Sequence, residues 1–255
     1  MLCTRCHHFE AVQDGVLCTA CSTRTGFQAP PTGLAPNAWL RSPVGLGRAA
    51  VAMLGLVALA DVFALGTDVF QYVVRGDLAD GRTGDDVLDR ADTADLLTGV
   101  AGVGQGLSLL ACAVVFVIWF WRVRVNAEVF SPNGHRKARG WVIGGWVAPF
   151  VNLWYPRRVM LDVWDASRPA GRTAGHGPVN AWWTLWLLST IGGEVLYGIA
   201  DSADTPRQIH EWTPLVMVAD ALDLVAAVLA ALVVLKLTRL QDEKAHQGPA
   251  VPVPA

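Results

Sequence analysis

Charge is what this sequence has least of: only 16% of its 255 residues are charged, against 53% that are hydrophobic. Soluble domains carry roughly 25% charged residues, so the deficit argues for a chain that buries itself in lipid. Catalytic signatures are missing as well. There is no Gly-Lys-Ser/Thr phosphate loop, no Ser-centred nucleophile elbow and no His-Glu-x-x-His, so the reading is of a protein that is not an enzyme. His135, His176 and His210 are scattered through connectors without metal-ligand spacing. The opening stretch MLCTRCHHFE lacks a basic segment followed by an apolar one, so no signal peptide is expected. Internal repeats and strand-like alternation are absent, and a net charge of −2 gives no reason to expect a nucleic-acid partner.

Long apolar runs are what is present. Four of them, at about Leu46–Phe70, Thr98–Trp121, Ala181–Ala200 and Pro214–Leu235, each approach the roughly 20 residues a helix needs to cross about 30 Å of hydrocarbon. Lipid offers the backbone no hydrogen-bond partner, so such runs cross as helices. The connectors separate by charge: residues 71–97 hold seven Asp against three Arg, whereas 122–140 hold Arg122, Arg124, Arg136, Lys137 and Arg139 against Glu128 alone. With four spans and a cytoplasmic N-terminus, 16 of 20 Lys and Arg fall inside, leaving only Arg75, Arg82, Arg90 and Arg207 outside.

A fifth apolar stretch, GWVIGGWVAPFVNLWYPRR (Gly140 to Arg158), is broken by a Gly pair, two prolines and an asparagine. Counting it as a span would divide the positive charges evenly, ten and ten. Trp141 to Tyr155 would also reach only about 22 Å as helix. Residues 141–166 are therefore expected to form a re-entrant or interfacial element, with Trp141, Trp146 and Trp154 at headgroup depth. The following RRVMLDVWDASR puts Val159, Met160, Val163 and Trp164 on one stripe, as in a short helix lying in the cytoplasmic interface. The basic set on this side can meet anionic headgroups or serve only to set topology.

The head is read from its cysteines. Cys3-x2-Cys6, eleven intervening residues, then Cys18-x2-Cys21 make two knuckles that can close a tetrahedral site around one structural zinc. Disulfides and a rubredoxin-like iron site are the competing readings. A closed four-thiolate site has no open position, which favours folding and docking over catalysis. His7 and His8 read as solvated neighbours, and Cys112 as a small packing residue. The organisation expected is thus a zinc ribbon at 1–28, a Pro/Gly-rich linker at 29–45, a membrane domain at 46–240 and a disordered tail at 241–255.

The stretch from Trp119 to Ser167 resembles the DUF4328 family of bacterial, largely actinobacterial, membrane proteins. The residues that carry the resemblance are Arg124 and Asn126 at an aromatic-rich helix end, then Trp141, Trp146, Pro149, Asn152 and Pro156, and then Asp162, Trp164 and Ser167. In layout the likeness runs from about Leu46 to Leu240. It implies an all-α, four-span membrane fold with a small N-terminal zinc ribbon, and it implies no activity.

Five carboxylates fall inside the expected spans: Asp61, Asp68, Glu194, Asp220 and Asp223. All lie toward the outer half, as do Gln71 and Gln105. Charges at such depth are costly and face a bundle interior or a wet cavity. They form either a cation or proton site, with Asp61 and Glu194 as the deepest pair, or merely the lining of a wet vestibule. The leading functional expectation is a plasma-membrane protein, multi-pass with both termini cytoplasmic. Its ribbon docks a cytoplasmic protein, and homo-oligomerisation is compatible with the sequence. The alternative is a translocator of a small solute, ion or proton using the outer carboxylates.

Overall fold

The computed structural model describes residues 40–169, 171–200 and 202–247, all within one compact unit that begins at Trp39. The cysteine head, most of the linker and residues 248–255 lie outside the described residues. Among the described residues there are six α-helices: α1 (Val44–Ala79), α2 (Asp85–Phe130), α3 (Trp141–Val147), α4 (Tyr155–Ala166), α5 (Gly177–Ala200) and α6 (Pro206–Gln247). A single 3₁₀ turn, Val151–Leu153, joins α3 to α4, and no strand occurs among the described residues.

The helices run past the apolar segments that nucleate them. At 36, 46 and 42 residues, α1, α2 and α6 extend about 54, 69 and 63 Å, well beyond the hydrocarbon. Among the described residues these three are long and apolar enough to cross a membrane. α5 has the length, 24 residues, but Trp182, Trp183, Trp186, Glu194 and paired glycines dilute its apolar character. The tail expected from Gln241 onward is helical as far as Gln247.

Local chemistry explains the ends. α1 stops in a Schellman motif: Gly81 takes φ +83°, its N–H donates to Leu78 O, and Arg82 N–H donates to Asp77 O. α2 then begins with Asp85 and Asp86 in its first turn, where the helix dipole favours negative charge.

α1 packs against both α2 and α6, and α6 against both α1 and α5, so α1 and α6 form the centre with α2 and α5 at the flanks. Exposed aliphatic side chains such as Leu59, Val103, Leu107 and Leu110 cover the outer faces, as lipid-facing surfaces require. α1 and α6 come into close contact where Gly47 meets Thr238. A Cβ on Gly47 would sit 2.6 Å from Thr238 Oγ1, and that hydroxyl already accepts the Trp119 indole N–H at 3.0 Å. Gly47→Val is therefore expected to cost about 1–3 kcal/mol. Thermal unfolding in mild detergent would check it; an unchanged midpoint would refute the close approach.

The two ends of the bundle differ. At the basic end the core is aromatic, with Trp119, Phe120, Trp164, Trp182 and Trp183 buried. α3 enters here as a wedge. Trp146 stands between Phe116 of α2 (5.9 Å) and Trp183 and Trp186 of α5 (5.9 and 5.6 Å), filling the gap between the flanking helices. At seven residues, α3 spans only about 10 Å and crosses nothing. α4 departs from the interfacial helix expected. Val159, Met160, Val163 and Trp164 are buried, but so are Leu161 and Asp162. The 131–140 loop covers the polar side of α4, because Arg136 closes onto Asp162 through its backbone N–H and its guanidinium (3.0, 2.9 and 2.7 Å).

Candidate functional site

At the acidic end, among the described residues, nothing equivalent to Trp146 fills the space between α2 and α5. The facing positions are small, among them Ala64, Ala101, Gly102, Gly198 and Ala203, and a cleft of about 650 Å³ remains. Asp68 and Gln71 of α1, Gln105 of α2, Tyr197 and Glu194 of α5, and Asp220 of α6 line it.

Asp68 and Asp220 line this cleft, and Asp61, which does not, is joined to Asp220 through Gln105. Asp61, Asp68 and Asp220 are only 2%, 5% and 2% exposed. Asp61 and Asp68 are seven apart, two helical turns, and so project from one face of α1. Gln105 Nε2 donates to Asp61 Oδ1 at 3.1 Å and to Asp220 Oδ1 at 3.3 Å. The Tyr197 hydroxyl donates to the same Asp220 oxygen. Asp68 and Asp220 lie within hydrogen-bond reach of each other. Asp61 Oδ2 and Asp68 Oδ2 are buried and receive no donor. Arg75, on this end, is paired with Asp95, and no Lys or Arg of the described residues bonds to the three.

Buried carboxylates without a cation are costly, and two in contact repel unless a proton is shared or a cation intervenes. The cluster has one amide and one phenol to offer six oxygens. The arrangement leaves buried acceptor oxygens in excess of donors beside the cleft.

The remaining residues named from sequence fall in different places. Asp223 is half-buried beside Ser189. Glu194 is exposed on the lip of the cleft, so it does not pair with Asp61. The reason is topological: α5 packs on α6, whereas Asp61 faces α2 and α6. Tyr197, which the sequence reading passed over, is three residues beyond Glu194 and shares its side of α5. That spacing was the only signal available.

The family-motif residues gather at the opposite end, as a polar lattice tying the wedge to the bundle. Asn126 brackets Arg41, three residues before α1, accepting its N–H at 3.2 Å and donating to its O at 2.8 Å. It also donates to Gln241 Oε1 at 3.1 Å. Gln241 in turn donates to Val123 O and Ser167 Oγ, at 2.7 and 2.9 Å. Arg124 reaches Glu128 at 2.6 Å and Lys137 O at 2.9 Å. Burial, and Arg124 beside it, hold the His135 imidazole below its ordinary range, while Asp162 holds the Arg136 guanidinium above its own. Trp141 stacks edge-on to Tyr155 at 4.5 Å, and Pro156 sits in the first turn of α4 against Gly145. Trp164 donates to Ala174 O at 3.4 Å. Pro149 and Asn152 form the turn between α3 and α4, with Asn152 N–H donating to Ala148 O at 3.1 Å. Cys112 is a buried free thiol within the core. Cys3, Cys6, Cys18 and Cys21 lie outside the described residues. Among the described residues, no three His, Cys, Asp or Glu side chains converge as a metal-ion ligand set.

The model of a domain of unknown function, DUF4328, matches residues 82–239, which takes in α2 to α6 but not α1. No curated protein and no solved structure matches the chain.

Proposed function

The chain belongs to the DUF4328 family, whose domain has no assigned activity, and we propose its function from geometry: a membrane translocator of protons or of a small cation. One observation carries this reading. At the floor of a water-accessible cleft, Asp68 meets Asp220 while Asp61 and Asp68 each keep an oxygen without a donor. Gln105 links Asp61, the deepest carboxyl, to Asp220, giving a short relay from cleft to membrane interior. The aromatic packing around Trp146 closes the other half of the bundle, so access is from one side.

In this reading α5 is a fourth span, because its 24 residues pack along α6 and form one wall of the cleft. Both termini are cytoplasmic and the cleft opens outward, as the Lys and Arg distribution supports. The membrane is the plasma membrane. Transport is by binding and exchange, with no covalent chemistry.

The test is uptake into vesicles reconstituted with the full-length chain, followed with a pH-sensitive dye and with monovalent-cation indicators. Asp220→Asn and Asp61→Asn are each expected to lower uptake at least about tenfold, since each removes a relay carboxyl. Asp86→Asn, outside the cleft, is the reference variant. Equal uptake by all four proteins would end the proposal.

The four N-terminal cysteines support a second, compatible role. Their paired Cys-x2-Cys spacing fits one structural zinc, giving a ribbon that docks a cytoplasmic protein. Metal analysis of the purified chain should give one zinc per molecule, lost in Cys18→Ser.

A further inference from the structure

Six arginines of the basic end have carboxylate partners among the described residues. Arg124 and Arg139 pair with Glu128, Arg136 with Asp162, Arg168 with Asp165, and Arg172 and Arg239 with Glu243. Arg157 and Arg158 have no carboxylate partner among the described residues. Arg157 is held at 3.0 and 2.8 Å by a neutral acceptor, Asn180 Oδ1, which orients the guanidinium without neutralising it. Arg158 is exposed.

These two cations follow directly on an apolar tip. Between α3 and α4 the chain runs Val147-Ala148-Pro149-Phe150 with no polar side chain, and Val147 and Phe150 are 79% and 77% exposed. Phe150 takes φ +61°, a conformation that costs a non-glycine residue on the order of 1 kcal/mol. The indole of Trp154, half-exposed, follows. Arg158 lies one turn further along and donates its N–H to Trp154 O, so ring and guanidinium share a face. Apolar tip, then indole, then unpaired guanidinium is the order of a bilayer interface read from acyl chain to headgroup.

We propose that this surface binds an anionic phospholipid, with Val147 and Phe150 among the acyl chains and Arg157 and Arg158 on the phosphodiester. Charge complementarity selects the lipid: the two cations that follow directly on the tip have no carboxylate partner among the described residues. This site is independent of the carboxylate cleft and stands or falls separately from it.

Full-length protein in neutral detergent, offered equal phosphatidylglycerol and phosphatidylcholine of matched acyl chains, can be examined by native mass spectrometry for retained lipid. Wild type is expected to keep phosphatidylglycerol about tenfold or more over phosphatidylcholine. The preference should fall about fivefold for each charge removed in Arg157→Gln and Arg158→Gln. Arg157→Lys with Arg158→Lys should keep most of it, separating charge from folding. Phe150→Ser should lower retention of both lipids. Parity in the wild type overturns the proposal. So does an equal loss in Arg207→Gln at the acidic end, no change in Phe150→Ser, or displacement of the lipid by millimolar inorganic phosphate.

Discussion

Gln241→Leu is expected to cost the fold about 3–5 kcal/mol, more than any other single change at the basic end. Gln241 is 1% exposed and makes three hydrogen bonds, two to α2 and one to the end of α4. Leucine would fit the volume but leave Val123 O, Ser167 Oγ and one Asn126 amide hydrogen without this partner. Each buried polar group so stranded costs about 1–3 kcal/mol. The loss should also spread, because Asn126 holds Arg41 at the entrance to α1 and Ser167 closes α4. Unfolding titrations in mixed micelles would measure it, and a loss below about 1 kcal/mol would show that water replaces the glutamine. Gln241→Glu should be no better, since it removes both amide donors and places a carboxylate beside Val123 O.

Asp68→Asn should move stability the other way. Asp68 Oδ2 is buried without a donor and the side chain faces Asp220, whose Oδ1 already accepts from Gln105 and Tyr197. An amide at this position supplies the missing donor and removes one of two opposed carboxyls. A gain of about 1–2 kcal/mol follows, or an unfolding midpoint several degrees higher. Uptake in the reconstituted system should fall with it, because the group that destabilises the fold is the group that binds. Functional sites commonly hold such a trade. A variant that is both less stable and fully active would contradict this account of Asp68.

Both predictions concern residues whose importance was unevenly visible in the chain. The carboxylates were legible as residues out of place, since Asp61 and Asp220 interrupt runs that otherwise favour lipid. Their partners were not. Asp61 and Glu194 looked like the deepest pair by distance along their helices, but pairing depends on which helices touch, and α5 faces α6. Gln241 was placed in a tail because the apolar run ends near Leu235. Only the spacing from Val234 through Leu237 and Thr238 to Gln241, along one buried stripe, marks it as core.

The broken stretch from Gly140 to Arg158 shows the same division. Its glycines, prolines and short reach were enough to predict that it does not cross, and a seven-residue helix with a 3₁₀ turn is what forms. What it does could not be read from periodicity. Trp146 occupies at one end the gap between α2 and α5 that stays open as the cleft at the other.

The sequence by itself determined the membrane environment, the helical class and the asymmetry of charge between the ends, because lipid admits few backbone solutions and hydropathy is local. Tertiary structure alone decided that Asp68 meets Asp220, that α4 is buried on its polar side, and that Arg157 and Arg158 have no carboxylate partner among the described residues. Those facts depend on helix neighbours and rotation about helix axes, set by packing between residues some 20 to 150 positions apart, and no local pattern encodes them.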